Sequence, residues 1–100
     1  MTVRIRLPAP LRTLAQVNGD IHVDLGPEPT ISELFEALEA SYPMLRGTIR
    51  DGTTLQRRPF VRFFACEEDF SHLPPDTALP LEVTRGEEAF VVLGAIAGGS

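Results

Sequence analysis

The chain has 100 residues, 43 % hydrophobic and 23 % charged, which suits one folded domain and is too apolar for a disordered segment. A net charge of −5 weighs against nucleic acid or an anionic membrane surface as the main partner. All nine basic residues are Arg, so no lysine side chain can accept an isopeptide bond or form a Schiff base, and the single cysteine, Cys66, rules out an internal disulfide.

Val3-Arg4-Ile5-Arg6-Leu7 alternates apolar and basic residues, the period of a half-buried strand with Val3, Ile5 and Leu7 inward. Arg4, Arg6 and Pro8 also interrupt any apolar leader, so no export signal is expected, and the cytoplasm is the default compartment. No stretch reaches the apolar length of a membrane span. Pro8 and Pro10 end the strand, and Leu11–Ala15 has room for a helical turn. After the turn pair Asn18-Gly19, the run 20–25 alternates again, with Ile21, Val23 and Leu25 on one face. The two runs read as an antiparallel pair with a connection longer than a minimal hairpin.

Gly26-Pro27-Glu28-Pro29 is a loop by composition. Thr30-Ile31-Ser32-Glu33 then fits a capping box, and Ile31, Leu34, Phe35, Leu38 and Tyr42 recur at helical spacing as one buried stripe. Glu36 and Glu39 are expected on the wet side, Pro43 stops the helix, and Met44 and Leu45 are expected beneath the sheet. Residues 47–58 are polar and carry Asp51-Gly52, a turn or mobile loop. A second strong strand, 60–66, is apolar on both parities: Val61, Phe63 and Ala65 on one side, Phe60, Phe64 and Cys66 with Arg62 on the other. Glu67-Glu68-Asp69 reads as an acidic turn, Phe70–Leu73 as a short strand or turn, and Leu79, Leu81 and Val83 as alternation across a short strand. After the turn 85–88, Ala89–Leu93 is the last strand, again apolar throughout.

One helix covers one face of a sheet. The first two strands respect that constraint, and the last two strong ones do not. The economical arrangement makes the latter central, with one face on the helix and the other open to a partner. That outer patch would combine Arg4, Arg6 and Arg62 with Phe60, Phe64 and either Phe90 or Val92. Ordinary sheet twist, with loop 46–58 folded over the second face, is the competing account. Beyond the last strand lies Ala95-Ile96-Ala97-Gly98-Gly99-Ser100, small and uncharged. Gly-Gly lies flat in a narrow channel because it has no Cβ, and it is equally a linker composition.

The order strand, strand, helix, strand, strand with a Gly-Gly ending resembles the MoaD/ThiS family of ubiquitin-like sulfur carriers, over nearly the whole chain. Leu11-Arg12-Thr13-Leu14-Ala15 is similar to the family's Leu-Arg-x-Leu-Ala segment. Thr30–Leu34, Leu38 and Tyr42-Pro43 resemble its helix, Glu68-Asp69 and Asp76–Leu79 its later turns, and Ala95–Gly99 its tail. The resemblance implies an α+β fold of the β-grasp (ubiquitin-like) type: a mixed four- to five-stranded sheet on one main helix. It makes residues 1–100 a single domain, with 94–100 a flexible tail.

The resemblance also implies a chemistry. An E1-like enzyme would use ATP to adenylate the Gly99 carboxylate, and sulfur would replace AMP to give a thiocarboxylate. A synthase subunit, MoaE-like or other, would receive the sulfur. The chain is then a carrier and not an enzyme; it holds no cofactor, and ATP belongs to the activating enzyme. Ala97 and Gly98 would present the tail. Ser100 follows the glycine that must be free, so either a peptidase removes it or it is foreign to the native chain. Molybdopterin synthesis is the favoured destination, with the thiamin- and cysteine-forming branches also open. A protein modifier joined through Gly99, or a β-grasp binding module, are the other classes.

Other constellations carry less. Cys66 has no neighbouring His in sequence and reads as a structural thiol. Cys66, Glu67, Glu68, Asp69 and His72 match no zinc spacing, so no metal is expected. His22 falls on the outward parity of its strand, and Ser41, Ser71 and His72 form no triad.

Overall fold

The computed structural model describes residues 1–94; the expectations placed on Ala97, Gly98, Gly99 and Ser100 lie outside the described residues. The elements are β1 (Thr2–Arg6), α1 (Ala9–Ala15), β2 (Ile21–Asp24), α2 (Ile31–Ser41), a 3-10 turn (Pro43–Leu45), β3 (Val61–Ala65), β4 (Glu68–Asp69), α3 (Leu81–Thr84) and β5 (Phe90–Gly94). They form a five-stranded sheet in the order β2-β1-β5-β3-β4, with β1 and β5 parallel and the remaining pairs antiparallel. This is a mixed β-grasp sheet on one main helix.

Alternation in β1 and β2 sends Val3, Ile5, Ile21 and Val23 into the core. Their link is a two-turn helix, longer than the turn expected from Leu11–Ala15. Pro10 sits in its first turn, where no intrahelical N–H is needed, and Gln16 closes it in the left-handed region at φ 60°. The α2 capping box is present: Glu33 N–H donates to Thr30 Oγ1 at 3.2 Å, and Thr30 N–H donates to Glu33 Oε1 at 2.8 Å. The α2 stripe lays Leu34, Phe35 and Leu38 against the sheet, where Phe35, Phe63 and Phe90 have ring centroids 4.9 to 5.9 Å apart.

Three local expectations are corrected. Met44 is exposed, because the 3-10 turn after Pro43 sends only Leu45 inward. The acidic segment after β3 is a hairpin: Cys66 (φ 54°) and Glu67 (φ 64°) form its two-residue turn, and Glu68 and Asp69 pair back with Ala65 and Phe64. Leu81–Thr84 is a helical turn and not a strand, so Val83 is buried while Leu81 is exposed.

Glu39 is also not on the wet side. It lies one turn after Phe35 and forms a bidentate pair with Arg50: Nε donates to Oε2 at 3.1 Å and Nη2 to Oε1 at 3.0 Å. Both side chains are only 6 % exposed. The Arg50 guanidinium also lies over the Phe35 ring, 5.9 Å from its centroid. The pair ties loop 46–58 to α2, on the helix side of the molecule. The loop therefore does not cover the other face of the sheet.

Candidate functional site

The sheet face away from α2 follows from strand parity. β1 presents Arg4 and Arg6, β2 His22 and Asp24, β3 Arg62 and Phe64, and β5 Val91 and Leu93. Pairing aligns these side chains in rows: Phe64 stands opposite Val91 and Arg62 opposite Leu93. Phe64 and Val91 are half-buried, and Leu93 is 45 % exposed.

Phe90 is not part of this face. It is fully buried, as is Val92, the other residue considered for that place. Both occupy the same parity, and the larger ring belongs with Phe35 and Phe63. Val91 and Leu93 take the outer positions and were missed. The available signal was volume: in a strand apolar on both sides, the parity holding the aromatic ring has first claim on the core.

The arginines are oriented by acids. Asp20 accepts from Arg6 Nε at 3.0 Å and from Arg4 Nη1 at 3.2 Å. The Arg6 hydrogen bond, with its charge, holds the Asp20 carboxyl below its ordinary range, and Asp20 in turn raises the Arg6 guanidinium. Arg4 also donates to the carbonyls of Gly86 and Glu87, both at 3.3 Å. Across the apolar strip, Arg62 Nη2 donates to Asp69 at 2.9 Å. Hydrogen bonds from the Ser71 hydroxyl and the Ser71 N–H lower the Asp69 carboxyl to about 2, and Arg62 assists. The strip Phe64, Val91 and Leu93 thus runs between two acid-pinned arginine groups.

β5 ends on a special residue. Gly94 has φ +87°, and a Cβ built on it would stand 2.2 Å from the Phe60 carbonyl oxygen. Its partner in the ladder is Val61. Phe60, one residue earlier, precedes β3 and is 85 % exposed. The last described residue of the chain is therefore seated against the backbone of its most exposed aromatic.

Among the described residues no group of His, Cys, Asp and Glu is disposed to hold a metal, and no helix is long and apolar enough to cross a membrane. Burial pushes the Cys66 thiol up, and the carboxylates of Glu82 and Glu88 push it further. This opposes thiolate formation, in keeping with a structural role. His22 and His72 are both exposed.

No family model and no curated protein matches this sequence. Solved structures do. SAMP1 from Haloferax volcanii is similar at TM-score 0.74 and 17 % identity, over 99 % of this chain and 100 % of that one. A chain of the BexX/CysO complex from Amycolatopsis orientalis is similar at TM-score 0.71 and 16 % identity, over 97 % and 99 %. SAMP1, the small archaeal modifier protein 1, from Methanosarcina acetivorans is similar at TM-score 0.69 and 18 % identity, over 98 % and 96 %. The shared property is the fold: these are small ubiquitin-like β-grasp proteins, as the sequence resemblance implied.

Proposed function

We propose that this chain is a sulfur carrier of the MoaD/ThiS kind, activated at the Gly99 carboxylate. The observation that carries the reading is the join between fold and sequence. A β-grasp sheet ends at Gly94, beside Phe60 and the Phe64–Val91–Leu93 strip, and the sequence then continues Ala95-Ile96-Ala97-Gly98-Gly99. The sheet face offers an E1-like enzyme an apolar strip flanked by oriented guanidiniums, while the small residues suit passage to a distant active site.

Ser100 must first leave, by a peptidase if it is native. A Gly99 carboxylate oxygen then attacks the α-phosphorus of ATP and expels pyrophosphate. The acyl adenylate has AMP as a leaving group, which a free carboxylate lacks. A sulfur nucleophile displaces AMP to leave the thiocarboxylate. Its sulfur passes to an acceptor on a synthase subunit, which makes the chain a cosubstrate whose chemistry is supplied by its partners. The molybdopterin branch is preferred on the Leu11–Ala15 segment. Similarity to a chain of the BexX/CysO complex supports docking on a partner protein and keeps other metabolite branches in view.

A second reading has its own support, since two of the similar structures are called small archaeal modifier proteins. In that reading the same Gly99 acyl group ends in an isopeptide bond on another protein. One experiment separates the readings: the chain ending at Gly99 is incubated with an E1-like enzyme, ATP and a sulfur donor, and its intact mass is measured. Exchange of one oxygen for sulfur supports the carrier. Higher-mass conjugates on added proteins, without that exchange, support the modifier. An unaltered mass leaves a β-grasp binding module and sinks both.

A further inference from the structure

The two edges of the sheet are finished differently. On the β3 side, β4 is only two residues long, yet the exposed backbone beyond it is capped. Phe63 N–H donates to Ser71 Oγ at 2.8 Å, Phe63 C=O accepts from Phe70 N–H at 2.7 Å, and Val61 C=O accepts from Arg57 Nη1 at 2.6 Å. Among the described residues the β2 edge has no such caps. Leu25 N–H donates to Met1 C=O at 2.7 Å and Met1 N donates to Leu25 C=O at 2.8 Å, so Met1 and Leu25 are a hydrogen-bonded pair of the β1–β2 ladder. Such pairs alternate along antiparallel strands. Val3–Val23 and Ile5–Ile21 are therefore the next bonded pairs, and the N–H and C=O groups of His22 and Asp24 point away from β1. Among the described residues, none bonds to these four outward groups.

An open edge is an invitation to strand pairing, and charge is the common protection against it. Here the charges do not protect against a second copy. Place a second β2 antiparallel on a two-fold axis through Val23. His22 of each copy then faces Asp24 of the other, and their outward N–H and C=O groups meet as hydrogen-bonded pairs. On the outer face imidazole meets carboxylate. On the inner face Ile21 and Val23 are already buried in each copy, so that face adds no polar mismatch and little new burial. The edge is self-complementary in its outward backbone groups and in its outer-face side chains.

We infer that β2 is a homotypic pairing edge, through which two copies join their sheets into one continuous antiparallel seam. The occupant is a second copy because the outward backbone groups and the outer-face side chains match themselves. The seam leaves Phe64, Val91 and Leu93 uncovered, since β1 lies between β2 and β5. A four-residue strand makes a small interface, so association is weak and concentration-dependent.

The test is sedimentation velocity across a concentration series reaching about 1 mM, the regime of small interfaces, with backbone amide exchange read by NMR at both ends. The expected result is a monomer that moves toward dimer with concentration, while the His22 and Asp24 amides pass from fast exchange to protection. His22→Pro removes the outward N–H together with the imidazole, leaves the β1–β2 ladder bonds in place, and should abolish dimerisation without lowering Tm by more than a few degrees. His22→Asp should weaken association at least tenfold by facing two carboxylates, and adding Asp24→His should restore it. A chain that stays monomeric throughout overturns the inference. So does a dimer whose His22 and Asp24 amides exchange as fast as in the monomer, or one indifferent to His22→Pro.

Discussion

At the scale of single residues, two positions bear more than their type suggests. Gly94 is held at φ +87° with no room for a Cβ, because the Phe60 carbonyl is 2.2 Å from where it would stand. Gly94→Ala must push β5 from β3 or twist the end of the strand, at a cost of about 1–3 kcal/mol. Urea denaturation checks this, and under the carrier reading the variant should also lose Gly99 activation at temperatures where it remains folded. Glu39 and Arg50 are the other case. Removing one partner leaves a buried charge unpaired, so Glu39→Ala or Arg50→Ala should cost about 3–5 kcal/mol in urea denaturation. Glu39→Leu with Arg50→Met should recover most of that loss. The pair was illegible from α2 alone, since Glu39 sits at the margin of the helical stripe. A Glu one turn after a buried Phe, with an Arg in the following loop, was the only trace.

At the scale of elements, legibility followed the strength of the local rule. The α2 helix was readable from its cap to Pro43 because the capping box, the 3.6 period and the proline stop agree. β1 and β2 were readable because each has one wet face. The β3–β4 hairpin was not, because its turn residues are Cys66 and Glu67, which carry none of the Asn-Gly chemistry that announces such a turn. That hairpin makes a pH prediction. Asp69 titrates at about 2 in the folded chain against an ordinary 3.8. A carboxyl lowered on folding stabilises above its unfolded value and loses that contribution as pH falls through the folded one. Stability should therefore decline between pH 3.8 and about 2. In a thermal melt series, Asp69→Asn should flatten this part of the profile.

At the scale of the whole molecule, the sequence placed Arg4, Arg6, Arg62 and Phe64 on the outer face but could not orient β5. Both of its parities are apolar, and only packing against Phe35 and Phe63 decides which one is buried. The resulting outer strip of Phe64, Val91 and Leu93 replaces the expected one containing Phe90. Under the carrier reading, Phe60→Ala and Leu93→Asp should leave stability within about 0.5 kcal/mol, as for exposed positions generally. They should lower the rate of adenylation by the E1-like enzyme at least tenfold, mainly through KM. Pyrophosphate release measures that rate. An unchanged KM in both variants would remove the outer face from the docking model.

β5 is the last described element in sequence order, yet it lies in the middle of the sheet, between β1 and β3. This has a consequence for timing. While the chain is being synthesised, everything before residue 89 can be present and still lack the strand that joins the two halves. Phe35 and Phe63 then have no Phe90 to close on, and the pairing of Ile5 with Phe90 and Arg6 with Val91 has yet to form. Completion of the core therefore waits for β5, and a chain that stops short of it has two half-sheets with no strand to join them.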